Sequence, residues 1–211
     1  MGKTYQVDQE NPSADVINVA ASILRDGGVA VYPTETVYGI GARASAGCPG
    51  AQELFEIKRR DRRKAIPWLV EDISALDIYG QDVPEYAYTL AKKYWPGALT
   101  IVVPASDKVP EDFKAHDGTI ALRAPDSPLV RALIKAVGGP LVTSSANTHT
   151  LPAPTKYEEL EDRIAAQADV VLDGGETKCK KASTVISCIG PRPLVWRDSA
   201  IPIEEIMEAI Q

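Results

Sequence analysis

Apolar and polar positions along this 211-residue chain fall into two rhythms that take turns. Between Ser13 and Asp26, Val16, Val19, Ala20, Ile23 and Leu24 recur at helical spacing, with Ser13 as a start signal and Gly27-Gly28 as a stop. Residues 29–32 (VAVY) then form a short unbroken apolar run, which predicts a buried strand. Ala51, Leu54, Phe55 and Lys58 predict a helix over 50–60 that delivers Lys58 to its C-terminal end. Ala87, Leu90, Ala91 and Tyr94 predict another over 84–95, closed by Pro96-Gly97. LTIVVPA (99–105) and TIALRAP (119–125) read as strands. Ser127-Pro128 is an N-cap followed by proline at the first helical position, opening a helix that ends at Gly138-Gly139. PLVTSSA (140–146) is a strand that ends in hydroxyls, and Thr155-Lys156-Tyr157-Glu158 has the form of a capping box for a further helix. VVLDGG, STVIS and PLVWR are late strands, and Pro202 opens a short helix.

Strands that alternate with helices predict an α/β sheet covered by helices. No repeat, low-complexity segment or linker interrupts the pattern, so residues 1–211 read as one domain. Ligands of such sheets gather where strands end. The polar clusters lie at such places: Thr34 to Thr36, Arg123, Thr143 to Asn147, Ser183-Thr184 and Arg197. The stretch YPTETVYGIG (32–41) reads as a core strand running into a polar, glycine-bearing turn. A hydroxyl both donates and accepts, so these clusters suit a polar small molecule held without added charge. Arg123, after the apolar TIAL, should meet a substrate carboxylate or phosphate, or a structural Asp or Glu. The segment 143–147 also reads as a turn capped by Ser and Asn.

Composition narrows the classes. Hydrophobic content of 45% and charged content of 25% are ordinary for a globular chain. No apolar run reaches membrane-span length, and MGKTYQVDQE has no apolar core for a secretory signal. Gly2 follows Met1, but Gln6 stands where an acylation motif needs Ser or Thr. Cys48, Cys179 and Cys188 have no CxxC spacing, which argues against a disulfide framework or zinc knuckle and fits a reduced, cytoplasmic setting. Cys179 sits among lysines, which would lower a thiol pKa; a plain surface thiol is the other reading.

The net charge of −6 argues against a protein that coats nucleic acid. Residues 58–64 (KRRDRRK) nevertheless carry six basic groups and one acid, a local +5 that leaves the rest at −11. A positive island on an acidic chain suits a specific anion site; a solvated helix end favoured by the macrodipole is the plain alternative. Gly39-Ile40-Gly41 is not GxGxxG, no GxxxxGK[ST] loop occurs, and Ser145 lacks a GxSxG elbow. His116 and His149 have no obvious partner and read as surface residues. Any ATP must therefore be held by Lys, Arg, hydroxyls and backbone, with Mg²⁺ carried on the nucleotide and no metal site of the chain's own.

Six segments together carry a family resemblance. GGVAVYPTETVYGIGA, LFEIKRRDRRK, YWPGALTIVV, IALRAPDSPLV, PLVTSSAN, and STVI followed by VWR make the chain, over about residues 12 to 198, resemble the YrdC-like threonylcarbamoyl-AMP synthases. The resemblance implies an open, twisted mixed α/β sheet with flanking helices and a large central cavity. It implies a nucleotidyltransferase that makes threonylcarbamoyl-AMP from L-threonine, bicarbonate and ATP, for threonylcarbamoyladenosine in tRNA. Lys58 and Arg60, the K and R of a K-x-R segment, would be catalytic and grip phosphates. Lys64, Thr119, Ser145, Asn147 and Arg197 would join them around ATP. Thr34, Thr36, Arg123, Thr143 and Ser183 would surround threonine, with Arg123 on its carboxylate. Partners would be downstream threonylcarbamoyl transferases, with contact to tRNA or double-stranded RNA also open. Two segments depart from the pattern. Asp61 replaces a proline and Ala65-Ile66-Pro67-Trp68-Leu69 rebuilds a pocket wall, while Thr148 to Ala153 replaces S-G-x-P-S. These departures leave a paralogue with altered substrate as one alternative and an RNA-binding module as another. The extra C-terminal domain of two-domain relatives is not expected in this chain.

Overall fold

The computed structural model describes residues 2–57, 66–148 and 151–210. Lys58, Arg60, Lys64 and His149 lie outside them. The strands are β1 (Lys3–Gln6), β2 (Ala30–Pro33), β3 (Tyr38–Arg43), β4 (Trp68–Leu69), β5 (Leu99–Pro104), β6 (Thr119–Arg123), β7 (Leu141–Ser145), β8 (Val170–Asp173), β9 (Thr184–Ser187) and β10 (Leu194–Arg197). They form one open mixed sheet in the order β1-β8-β2-β3-β7-β4-β6-β5-β9-β10. Pairing is parallel at β1/β8, β8/β2, β4/β6 and β5/β9, and antiparallel at β2/β3, β3/β7, β7/β4, β6/β5 and β9/β10.

The helices are α1 (Ala14–Arg25), α2 (Pro49–Ile57), α3 (Ala75–Tyr79), α4 (Glu85–Tyr94), α5 (Pro128–Val137), α6 (Asp162–Ala166) and α7 (Ile203–Glu208). They cover both faces. One apolar cluster joins α1 and α5 to Tyr32, Leu69 and Leu141, and the larger one joins the other helices to Ile40, Ile101 and Leu122. Central strands thus read as continuous apolar runs because they are buried on both sides. Ser127 caps α5 as the sequence predicts, accepting from the Val130 N–H at 3.3 Å, with Gly138 left-handed at its end.

Three expectations change. The stripe that α1 buries is Ile17, Ala20, Ala21 and Leu24, while Val19 faces solvent. Residues 38–43 are a strand, so YPTETVYGIG is a hairpin and both its glycines sit in β3. The capping pair after Thr155 is Glu159, whose carboxylate accepts from the Thr155 N–H at 2.8 Å; a single 3₁₀ turn (Tyr157–Glu159) follows and extended backbone at Leu160 and Glu161 interrupts it before α6. Glu158, three residues after Thr155, is not the partner because a capping box needs a full helical turn and only a 3₁₀ turn forms there.

Candidate functional site

The turn between β2 and β3 is closed by a threonine. Thr34 Oγ1 donates to the Val37 carbonyl at 2.8 Å and accepts from the N–H groups of Thr36 and Val37. The 2.7 Å contact between the two threonine hydroxyls can run either way, and the two N–H groups already occupy the lone pairs of Thr34 Oγ1. Thr34 is therefore saturated, and Thr36 keeps lone pairs that can accept from a ligand. The rest of the turn is held from the far end of the chain. Thr177 Oγ1 donates to the Thr36 carbonyl at 2.9 Å, and the Cys179 N–H to the Glu35 carbonyl at 2.8 Å.

Behind the turn, glycine makes room for a buried hydroxyl pair. Tyr32 OH lies 2.6 Å from Thr143 Oγ1. A Cβ at Gly41 would come within 2.3 Å of that phenol oxygen and 2.8 Å of Thr143 Oγ1. Only glycine lets β3 pass between the two partners. Burial pushes the Tyr32 phenol well above its ordinary pKa, so it stays neutral and orients Thr143 as a hydrogen-bonding group.

Arg123 ends β6 under the turn. Its Nε donates to the Gly97 carbonyl at 3.0 Å, and its Nη2 lies 2.6 Å from Glu35 Oε1. Glu35 Oε1 also accepts from the Asp126 N–H at 3.1 Å. Nη2 touches the carboxylate as an ion pair without aiming a hydrogen at it, and neither Nη2 nor Glu35 Oε2 has a hydrogen-bond partner. Both side chains are almost fully buried. The structural-pair and the ligand-facing readings of Arg123 thus meet in one residue, which binds Glu35 and also lines the cavity.

On the opposite wall Ser183 is a junction. Its hydroxyl lies 2.8 Å from Thr100 Oγ1 and accepts from Arg197 Nη2 at 3.0 Å, while its carbonyl accepts from Arg197 Nε at 2.8 Å. Its neighbour Thr184 faces away and binds the chain beyond β10, accepting from the N–H groups of Ser199 and Ile201. Between Val195 and Arg197 the β9/β10 register slips by one residue.

These walls enclose a cavity of about 460 Å³. Thr34, Thr36, Arg123, Thr143, Ser145, Ser183 and Arg197, all singled out in the sequence, line it together. Thr119 and Asn147 stand one layer back. Thr119 Oγ1 donates to Asp117 at 2.6 Å, and Asn147 accepts from Ser145 Oγ at 2.5 Å; Asp117 and Ser145 are the cavity-lining members of those pairs. Lys58, Arg60 and Lys64 fall outside the described residues, which reach Ile57 on one side and Ile66 on the other. Arg163 Nη1 caps Ile57 at 3.0 Å, and its Nη2 donates to Thr148 Oγ1 at 2.7 Å, so the end of α2 is tied to the segment after β7.

Sequence reasoning missed Glu35, Tyr32, Thr100, Asp117 and Trp196. Thr100 was legible, because it alternates with Val102 along LTIVV and strand alternation puts both on one face. The lowered pKa considered for Cys179 is corrected. Cys179 is exposed, as the plain surface-thiol reading has it, and desolvation of its sulfur with the Glu35 carboxylate nearby pushes the thiol up despite its lysine neighbours.

The family model for Sua5, YciO and YrdC proteins, described as telomere recombination, matches residues 22–199. The chain belongs to this family. It is 36% identical over 204 residues to the threonylcarbamoyl-AMP synthase of Bacillus subtilis, a match covering 96% of this chain and 59% of that protein. Among solved family structures, Pyrococcus abyssi Sua5 complexed with L-threonine superposes with a TM-score of 0.90 at 32% identity, over 99% of this chain and 61% of that one. The Escherichia coli YciO structure superposes equally well, at 0.90 and 27% identity, over 98% of this chain and all of that one. The chain therefore spans about three fifths of the Sua5 and B. subtilis proteins and the full length of the YciO fold.

Proposed function

We propose that this chain makes threonylcarbamoyl-AMP and pyrophosphate from L-threonine, bicarbonate and ATP, the adenylate that feeds threonylcarbamoyl modification of tRNA adenosine. The observation that carries this reading is the convergence of Thr36, Thr143, Ser183 and Arg123 on one cavity, in a fold shared with a relative solved as its L-threonine complex. Arg123 supplies the positive charge for the amino acid's carboxylate, and the hydroxyls match its amine and its own hydroxyl.

The chemistry needs no nucleophilic side chain. The threonine amine adds to carbon derived from bicarbonate, with loss of water, and gives a carbamate. A carbamate oxygen attacks the α-phosphorus, the bond to the bridging oxygen breaks, and pyrophosphate leaves. The chain's part is to place the two reactants and stabilise the charge that moves between them. In this reading Lys58 and Arg60 act on the phosphates, with Lys64, Ser145 and Arg197 beside them. Thr119 works through Asp117, and Asn147 through Ser145. Mg²⁺ would arrive on the triphosphate, where Asp117 is the one carboxylate among the described cavity-lining residues. Among the described residues no helix is long and apolar enough to cross a membrane, and the reading puts the reaction in the cytoplasm, with transferase proteins taking the product.

The test is to incubate the protein with ATP, Mg²⁺, bicarbonate and L-threonine and to follow the adenylate by mass spectrometry. Pyrophosphate release should require both threonine and bicarbonate. Equal consumption of ATP without either substrate would sink the proposal.

A further inference from the structure

Trp196 is 47% exposed, yet it lines the cavity together with its neighbour Arg197. Adjacent strand residues ordinarily point to opposite faces. Here the register of β10 resolves the conflict. Val195 pairs with Ile186, but Arg197 pairs with Val185, so Trp196 and Arg197 stand together against a single residue of β9. This is a β-bulge, a device that re-aims side chains next to functional sites. Val185 itself lines the cavity, while Ile186 and Val195 pack into the core behind the sheet. Without the bulge, alternation from core-facing Val195 would leave Trp196 on the cavity face and turn Arg197 to the core face; the extra residue keeps both at the cavity. Of the three tryptophans, Trp68 is buried in an edge-to-face cluster with Tyr79 and Phe113, and Trp95 donates its N–H to the Leu99 carbonyl. Trp196 alone is exposed and cavity-facing.

We propose that Trp196 is the stacking platform for the nucleobase, so that the β10 bulge presents one nucleotide with both of its partners, a cation for phosphate and an indole face for the ring. An arginine held in place by Ser183, beside an exposed indole, suits an anion joined to a flat heteroaromatic ring. A free polyphosphate uses only the first half of that pair. This inference rests on the reading of the cavity as an ATP site, and it adds the group that tells ATP from its bare triphosphate tail.

The experiment compares equilibrium binding of ATP·Mg and inorganic tripolyphosphate·Mg to the full chain and to Trp196→Ala and Trp196→Phe. Stacking on a single aromatic leads to an expected loss of about tenfold in ATP affinity for the alanine variant, with phenylalanine retaining most of it and tripolyphosphate changing less than about twofold. ATP should also quench tryptophan emission in the parent, tripolyphosphate should not, and the quench should disappear in Trp196→Phe. The inference is overturned if Trp196→Ala weakens both ligands equally, if it weakens neither, or if the quench persists without Trp196. Adenylate formation by the parent chain is scored separately, so the platform can fail while the synthase reading stands. Circular-dichroism melts of both variants guard against a fold defect, which the solvent-exposed position of Trp196 makes small.

Discussion

Arg123 Nη2 and Glu35 Oε1 meet 2.6 Å apart beneath the turn between β2 and β3, each on a side chain that is less than a tenth exposed. Removing one member of a buried pair strands the other, whereas replacing both with apolar groups can be close to neutral. Arg123→Ala should therefore lower unfolding free energy by about 3–5 kcal/mol, and Glu35→Leu/Arg123→Leu together should lower it by less than the single changes added. Urea denaturation of the two singles and the double decides this. Strict additivity would mean the contact carries no coupling. Arg123→Lys keeps the charge but loses the planar fork. It should weaken L-threonine by about 2–4 kcal/mol in calorimetry and ATP far less.

Thr34 and Thr36 share a hydrogen bond but not a job. Thr34→Val deprives two N–H groups and a carbonyl of their partner in a buried turn, which costs about 1–3 kcal/mol of stability. Thr36→Val removes the acceptor that faces the cavity, so threonine affinity should fall with a smaller change in melting temperature. The same pocket should rank L-threonine above L-serine and L-serine above L-valine, since a site built around a hydroxyl rejects an analogue without one. Valine binding as tightly as threonine would contradict the hydroxyl accounting.

The basic segment can be sorted by role. Under the proposed mechanism, in which Lys58 and Arg60 stabilise charge that moves as pyrophosphate leaves, Lys58→Ala and Arg60→Ala should each lower adenylate formation by about 10²–10³, more than they weaken ATP binding. Arg59→Ala and Arg62→Ala should stay within about tenfold of the parent at moderate salt. A uniform small loss across all four would point to a diffuse positive field, and to RNA in place of a triphosphate.

Cys179 gives a pH signature. Its side chain is exposed, yet desolvation of the sulfur and the Glu35 carboxylate push its thiol pKa above the ordinary value, so little thiolate is present at neutral pH. Alkylation by iodoacetamide at pH 7 should be slower than for a free cysteine and should climb steadily through alkaline pH. Cys48 and Cys188 are buried, and the Cys188 thiol is pushed up to about 12 by burial, so both should react only on unfolding. Fast labelling of Cys179 at pH 6 would show that the lysines around it outweigh desolvation.

The strands with fully apolar cores, such as β5, β6 and β8, were legible because burial on both faces leaves no other pattern for them. β1 was not, since KTYQ is an edge strand with mostly exposed side chains and no hydrophobic signature. β3 was misread for an opposite reason. Its glycines look like a turn in sequence, and only the crossing of Tyr32 and Thr143 explains them. The hydroxyls and Arg123 could be grouped as cavity-lining because polar groups at strand ends gather where such sheets open. The partners that set their direction, Glu35, Thr100 and Asp117, come from distant segments, and no local spacing announces them. The Trp196 bulge is a property of pairing with β9, and a single strand read alone cannot contain it.

The cavity-lining turn at residues 34–37 is written near the start of the chain but held by residues near its end. Thr177 and Cys179 fasten the backbone of Thr36 and Glu35, and β8 inserts between β1 and β2. During synthesis, residues 34–37 leave the ribosome with their local threonine bonds long before Thr177 and Cys179 exist to fix their backbone to the rest of the fold. The cavity can form only once the late segment has emerged and threaded into the sheet. Non-local pairing of this kind folds slowly, and under the proposed function it would make threonine binding an all-or-none report on the finished molecule: a nascent chain that lacks residues 170–197 has the PTET sequence without the segments that hold it.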